Sequence, residues 1–160
     1  MESDVCGVFL DALCQVFSET GIAIDCVETS DRRGSADQVV TSVGIAGGVK
    51  GNLMLSTDYA CAASIVKAMS HGISVVFPGG KLGEIQKTAL GELSNQITGR
   101  AITILSEKNI ECEIAPPIII TGESLSSHVP DIVQAFSRVV RGPFGSLTLL
   151  LALAAPPVPE

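Results

Sequence analysis

From Val5 the apolar residues fall at Val5, Val8, Phe9, Ala12, Leu13, Val16 and Phe17, the i, i+3, i+4, i+7 spacing of a helix with one buried face. Gly21 closes it. Residues 22–29 lean toward a strand, and 31–37, with its arginines, glycine and serine, read as a polar turn. Val39, Thr41, Val43 and Ile45 then alternate with Val40, Ser42, Gly44 and Ala46 at period two. Gly47-Gly48 turns the chain, and 50–56 returns as a second strand. Thr57-Asp58 supplies a cap for a helix over 59–70, with Tyr59, Ala62, Ala63, Val66 and Met69 inward and His71-Gly72 at its end. The spacing predicts the longest helix over 81–108. Beyond Asn109 the pattern is extended again, broken by Pro116-Pro117, which confines that segment to a sheet edge or a crossing. A second hairpin, 132–141 with 144–153, turns at Gly142-Pro143. The proline-rich residues 155–160 are expected to be a disordered tail, leaving one domain over 1–154.

The two hairpins echo one another. Gly48, Gly51, Leu53 and Leu55 match Gly142, Gly145, Leu147 and Leu149 at equal spacing. Either an internal duplication or the shared need of tight hairpins for glycine accounts for this.

Composition narrows the function. In 160 residues, 10 Lys and Arg stand against 17 Asp and Glu, a net charge of −7 that repels phosphate backbones and anionic membranes. No nucleic acid and no membrane partner is expected. The longest apolar run, Leu147 to Val158, is broken by Thr148 and ended by prolines, too short for a spanning helix. Without a basic-then-apolar start, the chain is expected to be cytoplasmic. Cys6, Cys14, Cys26, Cys61 and Cys112 form no Cys-x-x-Cys pair and read as small core residues. His71 and His128 lie in no ligand-spaced motif, so no metal site is expected. The glycines at 44, 47, 48 and 51 fit no phosphate-loop pattern, and Glu111 with Glu113 reads as a solvated strand face.

The long helix is more informative. At about 100° per residue, Leu82, Ala89, Leu90, Leu93, Ile97, Ala101 and Ile104 gather on one side as the buried stripe. Thr88, Glu92, Asn95 and Gly99 lie opposite. Glu92 and Asn95, three apart, are neighbours, and Gly99 one turn on leaves a flat patch against which a partner can dock closely. Interior glycines at 91 and 99 each cost about 1 kcal/mol relative to alanine, so close packing or a partner must offset them.

The run Thr88-Ala89-Leu90-Gly91-Glu92-Leu93-Ser94-Asn95-Gln96-Ile97-Thr98-Gly99 resembles the signature helix of the CheC/CheX chemotaxis phosphatases, with Glu-x-x-Asn inside Ala-x-Gly-Glu-x-x-Asn-x-x-x-Gly. Gly48 to Ser56, Ile65 to Met69, and Pro116-Pro117 with Gly122 resemble other family segments in order and spacing. Residues 31–37 and 124–131 match no family pattern. No other Glu has Asn three residues later, so the chain resembles the single-motif CheX branch rather than the two-motif CheC branch.

The resemblance implies an α+β fold: a β-sheet flanked by two long helices, with a pseudo-two-fold internal duplication. It also implies a homodimer joined through sheet edges. The implied activity is hydrolysis of the phosphoaspartate of a CheY-like response regulator, an acyl phosphate the receiver domain already holds with Mg2+ and a lysine. The phosphatase then needs no cofactor of its own. Asn95 would orient the attacking water and Glu92 would contact the receiver's lysine, as the catalytic pair. Thr88 and Gly99 would be partner-binding rim positions. The competing readings are a non-catalytic receiver-binding or flagellar-switch-like module and a plain dimerising domain; the paired Glu92 and Asn95 favour the enzyme.

Overall fold

The computed structural model describes residues 2–29, 37–69, 83–125 and 132–154. Its elements are α1 (Glu2–Thr20), β1 (Cys26–Thr29), β2 (Asp37–Gly47), β3 (Gly51–Thr57), α2 (Tyr59–Met69), α3 (Glu84–Glu107), β4 (Cys112–Ile114), β5 (Ile118–Leu125), β6 (Ile132–Gly142) and β7 (Gly145–Ala154). The fold is α+β as expected, with two long helices and the shorter α2. The expected turn at 31–37 falls outside the described residues apart from Asp37, as do His71, His128 and the expected tail.

Helix ends follow local chemistry. At the end of α1, Gly21 takes φ +83°, and the Ile22 N–H donates to the Phe17 carbonyl at 2.8 Å, turning the chain back on itself. Asn109 does the same for α3 at φ 64°, with the Ile110 N–H on the Leu105 carbonyl at 2.9 Å. Asp58 caps α2, its Oδ1 accepting the Cys61 N–H at 2.7 Å.

All seven strands form one sheet in the order β1-β6-β7-β3-β2-β4, with β5 also on β2. β4 and β5 are one edge strand broken at 115–117: β4 pairs the end of β2 (Ile45↔Ile114) and β5 its start (Ser42↔Ile118). Proline lacks the N–H an interior strand must donate, and the broken edge is where Pro116-Pro117 fits. At Gly47, φ is +110° and an added Cβ would lie 2.6 Å from the Glu111 carbonyl oxygen, so the turn into β3 passes hard against the start of β4.

One face of the sheet carries the core. Val39, Val43, Ile45, Leu53, Leu55, Leu147, Leu149 and Leu151 meet Phe9, Leu13, Phe17, Ile65, Leu93 and Ile97 from the helices in a single buried cluster. Phe17 meets Phe144 edge to face at 6.0 Å, tying the end of α1 to the β6–β7 turn.

The sheet order reads the same when the halves are exchanged, β1 for β4 and β5, β6 for β2, β7 for β3. Each half begins with a long helix, and each outer strand pairs with the other half. Leu55, the counterpart of Leu149 in the hairpin echo, is its direct cross-strand partner, so the pseudo-two-fold axis passes between them. The glycines of the echo serve different ends. Gly145 has φ +114°, whereas Gly51 lets the backbone of Ala152 approach closely.

Two expectations change. Only Cys6 is buried; Cys14, Cys61 and Cys112 are half-buried, and Cys26 is exposed on β1, an edge strand with no buried position. The buried stripe of α3 comprises Gln86, Leu90, Gly91, Leu93, Ser94, Ile97, Thr98, Ala101 and Leu105, while Ala89 and Ile104 are half-buried and Leu82 lies outside the described residues. Ser94 and Thr98, which a purely apolar reading passes over, shift the stripe's centre.

Candidate functional site

The outward face of α3 is a line of residues at helical spacing: Ile85, Thr88, Glu92, Asn95, Gly99 and Thr103. Thr88 and Glu92 are exposed, and Asn95 and Gly99 half-buried. All four expected site residues therefore lie on one side of one helix. Ile85 extends that line toward the N-terminus and is 81% exposed.

Polar groups on this face divide in two. Thr88 Oγ1 donates to the Glu84 carbonyl at 2.9 Å, and Thr103 Oγ1 to the Gly99 carbonyl at 3.0 Å, so both hydroxyls turn back onto the helix. Among the described residues, the Glu92 carboxylate and the Asn95 amide make no hydrogen bond or ion pair. They are the free hydrogen-bonding groups at the centre of the line.

The two interior glycines differ. A Cβ on Gly91 would lie 2.8 Å from Ile119 Cδ1, so Gly91 serves the packing of α3 on β5. Around Gly99 nothing lies within 4 Å of such an atom. No internal contact explains its cost of about 1 kcal/mol in a helix interior.

The clamp beside the site was not legible from sequence. Arg100 donates to both carboxylate oxygens of Glu19, at 2.9 and 2.7 Å, and to Gln15 Oε1 at 3.0 Å, binding α3 to α1. The Arg100 hydrogen bond holds the Glu19 carboxyl below its usual pKa of 4.5. The helix ends fix how the helices correspond: Phe17, Gly21 and Ile22 match Leu105, Asn109 and Ile110, so Val5, Phe9, Leu13 and Phe17 match Leu93, Ile97, Ala101 and Leu105, all buried. Glu92, Asn95 and Gly99 correspond to Asp4, Gly7 and Asp11. Burial, helped by the Asp11 carboxylate, pushes the Cys14 thiol up. No helix among the described residues is long and apolar enough to cross a membrane.

Comparison with known proteins fits this geometry. The family model described as chemotaxis phosphatase CheX matches residues 39–138, which contain α3 and its outward face. A curated relative from Thermotoga maritima, CheY-P phosphatase CheX, is 32% identical over 105 residues, 66% of this chain and 61% of the relative. The chain thus aligns with about three fifths of that protein's length. A CheC-like superfamily protein from a Shewanella species superimposes with TM-score 0.81 at 22% identity, over 97% of this chain and 100% of that one. The CheX of a CheX–CheY–BeF3–Mg2+ complex from Borrelia burgdorferi superimposes with TM-score 0.76 at 22% identity, over 94% and 97%. With the family model covering well over half of its length, the chain belongs to the CheX family.

Proposed function

We propose that the protein is a cytoplasmic phosphatase that accelerates loss of phosphate from the phosphoaspartate of a CheY-like receiver domain. The observation that carries this is the free pair on α3: an unengaged carboxylate and an unengaged amide, on adjacent turns of a rigid helix, beside a glycine with open space above it. A protruding helix suits a substrate that is itself a folded domain with a recessed acyl phosphate. The receiver brings its own Mg2+ and lysine, so the phosphatase adds orientation rather than covalent chemistry. The Asn95 amide would hold the attacking water in line, its carbonyl accepting one water proton. Glu92 would meet the receiver's lysine and set the docking angle. Thr88 and Gly99 form the rim, where Gly99 lets the receiver's surface approach the helix backbone.

The same reading includes a homodimer. Ile118 and Ile120, 61% and 50% exposed, project from edge strand β5 on the face away from the helices. An edge strand presents unpaired backbone donors and acceptors, and a second copy would cover these side chains. Sedimentation of the wild type and of Ile120→Lys tests this, with a dimer expected to become monomer.

The activity is tested by following phosphate loss from a CheY-like receiver with Mg2+ present. Wild type should raise the rate well above autodephosphorylation, and Asn95→Ala should abolish most of that gain while still binding the receiver. Binding by wild type without acceleration would leave a docking module in place of an enzyme.

A further inference from the structure

α3 buries hydroxyls directly beneath the free pair. Ser94 and Thr98 are both 0% exposed, and Thr41 on the facing strand β2 is 3% exposed. Thr41 Oγ1 donates to Ser94 Oγ at 3.0 Å, and Thr98 Oγ1 to the Ser94 carbonyl at 2.8 Å. Ser94 immediately precedes Asn95 and lies about 100° round the helix from it, on the buried side.

Apolar contacts do not by themselves fix how such a helix sits. They are non-directional, and a small void beside Thr41, under Leu90 and Leu93, leaves slack below this part of α3. A buried hydroxyl is different, because it loses its bond and meets no water when the helix rolls or slides. Buried polar pairs are best attested as devices that set register.

The other half of the molecule shows that the fold itself does not require this pair. On α1 the counterparts of Ser94 and Thr98 are Cys6, 3% exposed, and half-buried Leu10. The counterpart of Thr41 is Arg138, which faces Leu149 as Thr41 faces Leu55, and its guanidinium donates to the Ser137 carbonyl at 2.8 Å. The strand-to-helix hydroxyl bond lies under the helix that carries Glu92 and Asn95, whereas a thiol and an apolar side chain fill the matching helix positions.

We propose that Thr41 is a positioning residue: its hydrogen bond to Ser94 sets the roll and axial register of α3 and so places the Asn95 amide in the receiver's site. The proposal rests on the phosphatase reading for its kinetic consequence. Because misplacing a catalytic group by about 1 Å costs up to about 100-fold, loss of the bond is expected to lower the maximal dephosphorylation rate about tenfold at unchanged KM.

The test compares Thr41→Val, Thr41→Ser, and Thr41→Val with Ser94→Ala, the last removing both hydroxyls and leaving none orphaned. Thr41→Ser should keep the wild-type rate, and the other two should lose it with KM unchanged. A Thr41→Ser rate as low as that of Thr41→Val would show that packing, not the hydroxyl, matters, and would overturn the proposal. In the isolated proteins the Asn95 side-chain amide resonances should shift or broaden in Thr41→Val and hold in Thr41→Ser. Unaltered resonances in Thr41→Val overturn the proposal whatever the kinetics, while an inactive wild type overturns the phosphatase reading and leaves the resonances to decide this one.

Discussion

α1 and α3 hold corresponding places on either side of the pseudo-two-fold axis, yet they present different chemistry. Their buried stripes match, Val5, Phe9 and Phe17 against Leu93, Ile97 and Leu105. Outward, α1 carries Asp4, Gly7 and Asp11 where α3 carries Glu92, Asn95 and Gly99. The shared fold supplies the platform, and the proposed function rests on a few side chains on one of its two copies. Gly7 has no side chain to do what the amide does, which is to present a strong acceptor and strong donors in one plane.

The largest expected effect exchanges these residues. Asn95→Gly, which puts the α1 residue into α3, should lower receiver dephosphorylation by about two orders of magnitude, the usual cost of losing one aligned polar group at a reacting centre. Gly7→Asn with Asp4→Glu, added to that variant, should restore less than a tenth of the lost rate. α1 carries Cys6 and Leu10 where Ser94 and Thr98 underlie the active pair, and Asp11 where Gly99 gives access. Full restoration by the graft would mean that the outward pair suffices and that nothing beneath it matters.

Much of this was legible in the sequence because faces are periodic. Glu92, Asn95 and Gly99 could be assigned to one exposed side from spacing alone, and both hairpins from alternation around glycine turns. Partners are another matter. Period two says which side of β2 is buried but not that β1 pairs with β6, nor that β4 and β5 share the edge of β2. β1 is exposed throughout, so it has no alternation to read. Ser94 and Thr98 looked polar and hence neutral, although their spacing from Leu90 and Ile97 already placed them on the buried stripe. The Arg100–Glu19 clamp joins residues far apart in the chain, a contact no local pattern reports.

Gly99 separates access from stability. Gly99→Leu should raise KM for the phosphorylated receiver about tenfold while the protein stays folded, since a side chain there meets nothing inside the molecule. Asp11→Leu, at the matching place on α1, should leave KM unchanged. Gly99→Ala should stabilise the protein by about 0.5–1 kcal/mol in urea denaturation, because no internal contact opposes the gain in helix propensity. An unchanged KM in Gly99→Leu would remove the docking role from this face and leave the glycine without an explanation.

The smallest expected effect concerns the charged contact between α1 and α3. Arg100 holds the Glu19 carboxyl below its ordinary value of 4.5, chiefly through their hydrogen bond, and both side chains reach solvent. A carboxyl whose folded-state pKa is lowered stabilises the fold fully above its unfolded value, where both states are ionised. That contribution falls away as pH drops through the folded value, because the unfolded chain takes up the proton first. The gap between the unfolding midpoints of wild type and Glu19→Gln should therefore be small and level from pH 7 to about pH 5, then close on further acidification. Raising salt should narrow it at neutral pH, since exposed charges are screened. Dephosphorylation by Glu19→Gln should stay within about twofold of wild type if the Thr41–Ser94 bond rather than the clamp sets the register of α3, so a much larger loss of rate would move that role from the sheet to α1.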